Sequence, residues 1–162
     1  MAIYHFSAKV ISRASGSSAV AAAAYRSASR LPDERLGRAH DFTNKAGVVH
    51  SEILAPDGTP EPLLDRSTLW NEVEAAEVRK DAQLSREVEF ALPRELNQAE
   101  GIRLAREFVD REFVSRGMIA DLNVHWDIGA DGQPKPHAHA SPHSGTEDTY
   151  PPTPPSSQSP RP

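Results

Sequence analysis

The stretch Ile119-Ala120-Asp121-Leu122-Asn123-Val124-His125-Trp126-Asp127-Ile128 alternates without a break. Ala120, Leu122, Val124, Trp126 and Ile128 share one face, and Asp121, Asn123, His125 and Asp127 share the other. A period of two predicts a strand with one apolar and one polar side. Asp131-Gly132 follows as a hairpin turn signal, and the chain returns through Pro136-His137-Ala138-His139-Ala140. A His-x-His pair on an extended segment points both imidazoles to the same side. His125 on the preceding strand can complete a facial three-nitrogen site for a divalent ion. Register decides whether it does. A two-residue turn centred on Asp131-Gly132 sets His125 opposite Ala138, on the wrong face. An offset of one residue sets it opposite His137 or His139, and Pro134 and Pro136 favour the bulge or longer loop that this needs. The plainer reading of the pair is a tail sprinkled with histidines. The polar face that carries His125 favours the site.

Other segments alternate too. Residues 2–10 place Ala2, Tyr4, Phe6, Ala8 and Val10 on one side, and Arg86 to Leu92 sets Val88, Phe90 and Leu92 against Glu87, Glu89 and Ala91. Gly47 to Leu54 reads as a further strand. The Ala19–Arg26 run is a strong helix former with serines before it to cap it. A second helix is expected over 66–82, from Leu69, Val73 and Ala76 at helical spacing. A third follows Asn97-Gln98-Ala99-Glu100, a capping-box pattern, buries Ile102, Ala105, Val109 and Phe113, and stops at Gly117. Residues 31–47 read as polar with turns. The order predicts an α/β (α+β) fold: a central, largely antiparallel sheet with helices on its apolar face and its polar face open to an extended ligand.

The 162 residues suffice for one domain with a core. Without cysteine, a metal must be held by His, Asp or Glu. No run reaches transmembrane length, and the N-terminus is not a signal peptide, so a cytoplasmic protein is expected. Net charge is −5, yet residues 1–50 hold 7 Lys/Arg against 3 Asp/Glu. That basic third can face phosphates even though the total is acidic. Nine of the 14 prolines lie in residues 134–162, so a domain over 1–140 and a disordered Pro/Ser-rich tail over 141–162 are expected.

The imidazoles ask for a partner in chemistry. Neutral imidazoles suit zinc, manganese or nickel, and magnesium less well. Such an ion would polarise a phosphate or a carbonyl. Tyr25 is the one large group of the alanine helix, with Arg26 beside it and Arg30 one turn on. A tyrosine there is ordinarily a core or rim residue. Its functional reading is a phenolic nucleophile acting on a well-polarised electrophile.

Taken together, Ala2-Ile3-Tyr4-His5-Phe6-Ser7-Ala8-Lys9, the alanine-rich helix with Tyr25, Arg86-Glu87-Val88-Glu89-Phe90-Ala91-Leu92-Pro93 and Pro136-His137-Ala138-His139 resemble the N-terminal domain of MobA/MobL-type plasmid relaxases, including TraA-like conjugation proteins. The resemblance spans roughly residues 1–140. It implies a His-hydrophobic-His relaxase fold and strand-specific nicking of single-stranded DNA at an origin of transfer, with other relaxosome and conjugation proteins as partners. It implies that Tyr25 attacks the scissile phosphodiester and becomes joined to the 5′ phosphate. It implies that His125, His137 and His139 hold a divalent metal, magnesium or manganese ahead of zinc or nickel. By position, Arg13, Arg26 and Arg30 are candidate phosphate contacts, and Glu87 and Glu89 are candidate orienters of the metal-bound imidazoles. The chain departs from the family after Ala140, where Ser141-Pro142-His143-Ser144-Gly145 replaces a hydrophobic continuation. Proline ends strand pairing, so a truncated domain with an incomplete sheet is expected. The alternatives are an inactive remnant that binds DNA at most and an unrelated hydrolase that uses a metal-bound water.

Overall fold

The computed structural model describes residues 5–144, which form seven strands and three α-helices. They are β1 (Phe6–Ser12), α1 (Ala19–Ser27), β2 (Arg30–Asp33), β3 (Arg38–Asp41), β4 (Val48–Leu54), α2 (Arg66–Ala76), β5 (Gln83–Ala91), α3 (Gln98–Glu112), β6 (Ile119–Ile128) and β7 (Pro134–His143). The expected strand residues Ala2 and Tyr4 and the expected tail beyond 144 lie outside the described residues. Five strands form one antiparallel sheet in the order β1-β5-β7-β6-β4, and β2 and β3 form a separate hairpin.

The β6–β7 register is the offset one. His125 pairs with His137, and the ladder runs from Ile119↔His143 to Ile128↔Pro134. The connection is a five-residue loop closed by Gly129 N to Gln133 O at 2.8 Å. Gly132 takes φ +76° there, a conformation that an L side chain resists.

Two expectations about β7 need correction. Ser141, Pro142 and His143 belong to the sheet, not to a tail, and Pro142 does not end the pairing. The reason lies in which side the prolines face. Leu92 N donates to Pro136 O, so the even-numbered residues of β7 turn their backbone groups toward β5. The ladder with β5 covers only His137 to Ala140. Pro134, Pro136 and Pro142 fall outside it, where a missing N–H costs no ladder bond.

The apolar face of the sheet carries Val88, Phe90, Ala120, Leu122, Val124, Ala138 and Ala140, all buried with Ala105 and Val109 of α3. The cap of α3 is the expected one: Asn97 accepts from Glu100 N at 2.9 Å and donates to the Glu100 carboxylate at 3.0 Å. Gly101 lets this helix lie close to β6, since a Cβ there would meet the Trp126 ring at 2.9 Å. Each large side chain buried in this layer contributes about 1.5–3 kcal/mol.

The polar face is not open, contrary to expectation. Helices α1 and α2 and the β2–β3 hairpin cover it, so helices flank the sheet on both sides. Small residues let α1 approach: Ala19, Val20, Ala23 and Ala24 are buried. Ser18 caps this helix by accepting from Ala21 N. α2 is capped by Asp65, which accepts from Thr68 N, and it ends at Ala76 rather than 82. A polar sheet face can be covered only if its groups are paired, and they are. Asp121 accepts from Arg66 Nε at 2.8 Å, Arg66 Nη2 at 2.9 Å, Trp70 Nε1 at 2.8 Å and Asn123 Nδ2 at 3.0 Å. The polar 31–47 segment, read as turns, holds the hairpin instead. Its inward residues Leu31 and Asp33 are buried, and Asp33 is met by Ser18 and His40.

Candidate functional site

The three histidines come together where β6 and β7 meet the C-terminal end of α1. His125 and His137 are paired across the two strands, and His139 lies two residues on, on the same side. Ring centroids are 5.1 Å apart for His125–His137, 4.5 Å for His125–His139 and 5.0 Å for His137–His139. One ring nitrogen from each lies within 4.8 Å of the others. His125 and His139 are buried and His137 is half-buried, so the cluster is reached from the His137 side.

Each ring has one nitrogen committed to an acceptor. His125 Nε2 donates to Arg26 O at 2.8 Å, His137 Nδ1 to Lys135 O at 2.9 Å and His139 Nδ1 to Glu87 Oε1 at 3.2 Å. A nitrogen facing a carbonyl or carboxylate carries the proton, which leaves a lone pair on the other nitrogen. Three imidazoles, each with one nitrogen turned to an acceptor and the other available, suit a divalent ion. Burial reinforces this: it pushes His125 down to about 4 against the opposing Arg26 carbonyl, and it lowers His139 as well.

The helix end explains the first of these contacts. The last carbonyls of an α-helix have no partner within it. α1 stops at Ala28 in the left-handed region (φ 51°), and Ser29 N closes back on Ala24 O. Arg26 O is left free and points at His125. The residue before it, Tyr25, has an exposed ring held edge-on by Phe42 at 5.3 Å. Lys45 Nζ lies 4.2 Å from the Tyr25 ring centroid and donates to Tyr25 O at 3.2 Å. No pattern in the turn-rich segment marked Phe42 or Lys45 in advance. A lysine near a tyrosine in space leaves no trace in periodicity.

Glu87 sits under the cluster. Its Oε1 meets Arg26 Nη2 at 2.6 Å and Lys9 Nζ at 3.8 Å besides His139. Burial works against its ionisation. The His139 hydrogen bond and the Arg26 and Lys9 charges outweigh it and hold the carboxyl at about 2. Glu89 approaches His139 Nδ1 at 3.9 Å. Glu87, Glu89 and His139 are thus a second set close enough for an ion, but cations already serve the Glu87 carboxylate.

The three arginines separate. Arg30 is exposed at the start of β2. Arg13 is committed within the protein: it donates to the Glu74 carboxylate at 2.6 Å and to carbonyls of Glu74, Glu77 and Arg79. It ties the end of β1 to α2. Arg26 spends its guanidinium on Glu87.

Acidification should weaken the metal-free fold. His125 has a lowered pKa in the folded state, so its contribution is full above its unfolded value near 6.5 and is lost as pH falls toward about 4. His143, lowered by burial, acts in the same direction. Urea unfolding midpoints should fall between pH 7 and pH 4, with a loss on the order of 2 kcal/mol. A flat profile over that window would contradict the burial of neutral His125.

Comparison with known proteins gives the family and the fold. The MobA/MobL family matches residues 17–141. The conjugal transfer protein TraA of Rhizobium radiobacter is 42% identical over 149 residues, covering 86% of this chain and 13% of TraA. The mobilization protein MobL of Acidithiobacillus ferridurans is 47% identical over 129 residues, 77% of this chain and 32% of MobL. A solved structure described as the molecular basis of vancomycin resistance transfer in Staphylococcus aureus superposes with a TM-score of 0.79 at 40% identity, over 87% of this chain and 70% of that one. The chain spans well under half the length of either TraA or MobL. Among the described residues, no helix is long and apolar enough to cross a membrane.

Proposed function

The chain belongs to the MobA/MobL family, and from that premise we propose that it is a relaxase domain that nicks one DNA strand at a plasmid origin of transfer. The observation that carries this reading is the join between cluster and helix: His125 is hydrogen-bonded to the carbonyl of Arg26, the residue that follows Tyr25. A polarising centre and a phenol are thereby anchored to one helix end.

In this reading the Tyr25 hydroxyl attacks the scissile phosphorus. An O–P bond forms to the phenol and the bond to the 3′ oxygen breaks. The 3′ oxygen leaves as a hydroxyl after gaining a proton, while the phenol loses its own. His125, His137 and His139 would hold a divalent ion, magnesium or manganese, which when bound supplies Lewis-acid polarisation of the phosphate. Glu87 keeps His139 in the Nδ1–H form and so keeps Nε2 free to ligate. Glu89 adds negative charge on the same side. Arg30, exposed on the hairpin, is placed for a phosphate. The partner is single-stranded origin DNA in the bacterial cytoplasm. Other conjugation proteins would engage the parts that TraA and MobL carry beyond this region.

The test is incubation of the chain with Mn²⁺ and single-stranded oligonucleotides tiling the cognate plasmid's transfer region. A protease-sensitive, covalent protein–DNA species is expected on one oligonucleotide, together with a free 3′ hydroxyl fragment. No adduct across the whole region would favour an inactive remnant that binds DNA at most.

A further inference from the structure

Arg26 is neither one of the three imidazoles nor the nucleophile, yet it is joined to both buried members of the cluster, to His125 directly and to His139 through Glu87. Its main chain holds one of them: the carbonyl accepts from His125 Nε2 at 2.8 Å. Its side chain reaches the other through one atom: Nη2 lies 2.6 Å from Glu87 Oε1, the oxygen that accepts from His139 Nδ1. Tyr25 is its neighbour in sequence, on the last turn of α1. We infer that Arg26 is a positioning residue that fixes the end of the Tyr25 helix against His125 and His139 at once. This rests on the nicking role proposed above.

The alternative is a phosphate contact, which its position in the sequence suggests. The surroundings oppose it. The Arg26 side chain is 15% exposed and its Glu87 partner 1%. Withdrawing the guanidinium toward DNA would leave a buried carboxylate without its principal countercharge. Arg26 Nε and Glu87 Oε2 are each already buried without a partner. If Arg26 withdrew, the only other cation at Glu87 would be the more distant Lys9, at 3.8 Å, among the described residues. A planar fork with several donors, rather than an ammonium, also suits a site where a carboxylate must be held at a set angle beneath an imidazole.

The experiment compares Arg26→Met, which keeps the stem and loses the fork, with Arg26→Lys in the full chain. Three quantities are read: Mn²⁺ affinity by calorimetry, the imidazole ¹⁵N spectrum of the metal-free chain, and, with the oligonucleotide that gives an adduct, the binding constant separately from the rate at saturation. Positioning predicts that Arg26→Met weakens Mn²⁺ binding about 10-fold or more and erodes the Nδ1–H preference of His139. The saturating rate should fall by about 10–100-fold while DNA affinity stays within about twofold, and Arg26→Lys should recover part of the loss. A raised DNA dissociation constant with a shallower salt dependence and an unchanged saturating rate would overturn the inference in favour of a phosphate contact. Unchanged Mn²⁺ affinity and an unchanged imidazole spectrum would overturn it as well. Should Arg26→Met fail to fold, Glu87→Gln, which keeps the shape and removes the charge, is read in the same way. If the wild-type chain forms no adduct, the nicking proposal fails, and the metal and imidazole readouts still decide the role of Arg26.

Discussion

Under the proposed nicking mechanism, Tyr25→Phe should abolish the covalent protein–DNA species and leave the fold intact. The substitution removes one oxygen, and phenylalanine has no atom that can attack phosphorus, so the expected loss of adduct is complete. Little else should change. Tyr25 is 43% exposed, and its side-chain contacts are through the ring: Phe42 edge-on, with the Lys45 ammonium and the Arg26 guanidinium over the face. A phenyl ring keeps all three. Exposed substitutions of this kind move stability by about 0.5 kcal/mol or less, and Mn²⁺ affinity should stay as it was because no imidazole is touched. Denaturing gels of wild type and variant with the same oligonucleotide, alongside melting curves, make the comparison. A persistent adduct would place the nucleophile elsewhere. Nicking that continues without an adduct would point to water as nucleophile, the hydrolase alternative.

The sequence made β6 legible because its alternation is complete: residues 119–128 fold as the strand they spell, and His125 lies on the predicted side. The register with β7 was narrowed to a choice of offsets, and the five-residue loop selected the one that pairs His125 with His137. The covering of the polar face was not legible. Asp121 and Asn123 look like solvent residues in a two-residue period. Asp121 is buried because Arg66 and Trp70, some fifty residues away, meet it, and Asn123 because it accepts from Ser51 and donates to Asp121. Local pattern reports polarity, and only the fold says whether polarity is paired. The hairpin at 30–41 escaped for a related reason. Its strands are four residues long and one contains Pro32, so little period survives to be read. Arg26 shows the limit most clearly: proximity to Tyr25 suggested a phosphate contact, whereas the structure commits its guanidinium to Glu87, sixty-one positions along the chain.

Asp121→Ala tests whether that buried pairing holds the polar layer in place. Asp121 is 2% exposed and receives four hydrogen bonds: two from the Arg66 fork, one from the Trp70 indole and one from Asn123. Removal of the carboxylate leaves a guanidinium and a buried indole N–H without acceptors. Breaking a buried ion pair from one side costs about 3–5 kcal/mol, out of about 5–15 kcal/mol that hold a typical domain together. The melting temperature should drop by roughly 10 °C, at about 2–4 °C per kcal/mol for a chain of this size. The pair itself need not be stabilising relative to an apolar replacement. Asp121→Ala combined with Arg66→Met should therefore be more stable than Asp121→Ala alone, because the stranded charge is gone. Urea titrations of the two singles and the double measure this directly. A cost below about 1 kcal/mol for Asp121→Ala, or strict additivity in the double, would mean that α2 is held on the sheet by its apolar contacts alone. The outcome bears on function because α2 packs against α1. A loosened α2 frees the helix that carries Tyr25 from the strands that carry the histidines. Adduct formation by Asp121→Ala should then decline at temperatures where the wild-type chain is still fully folded.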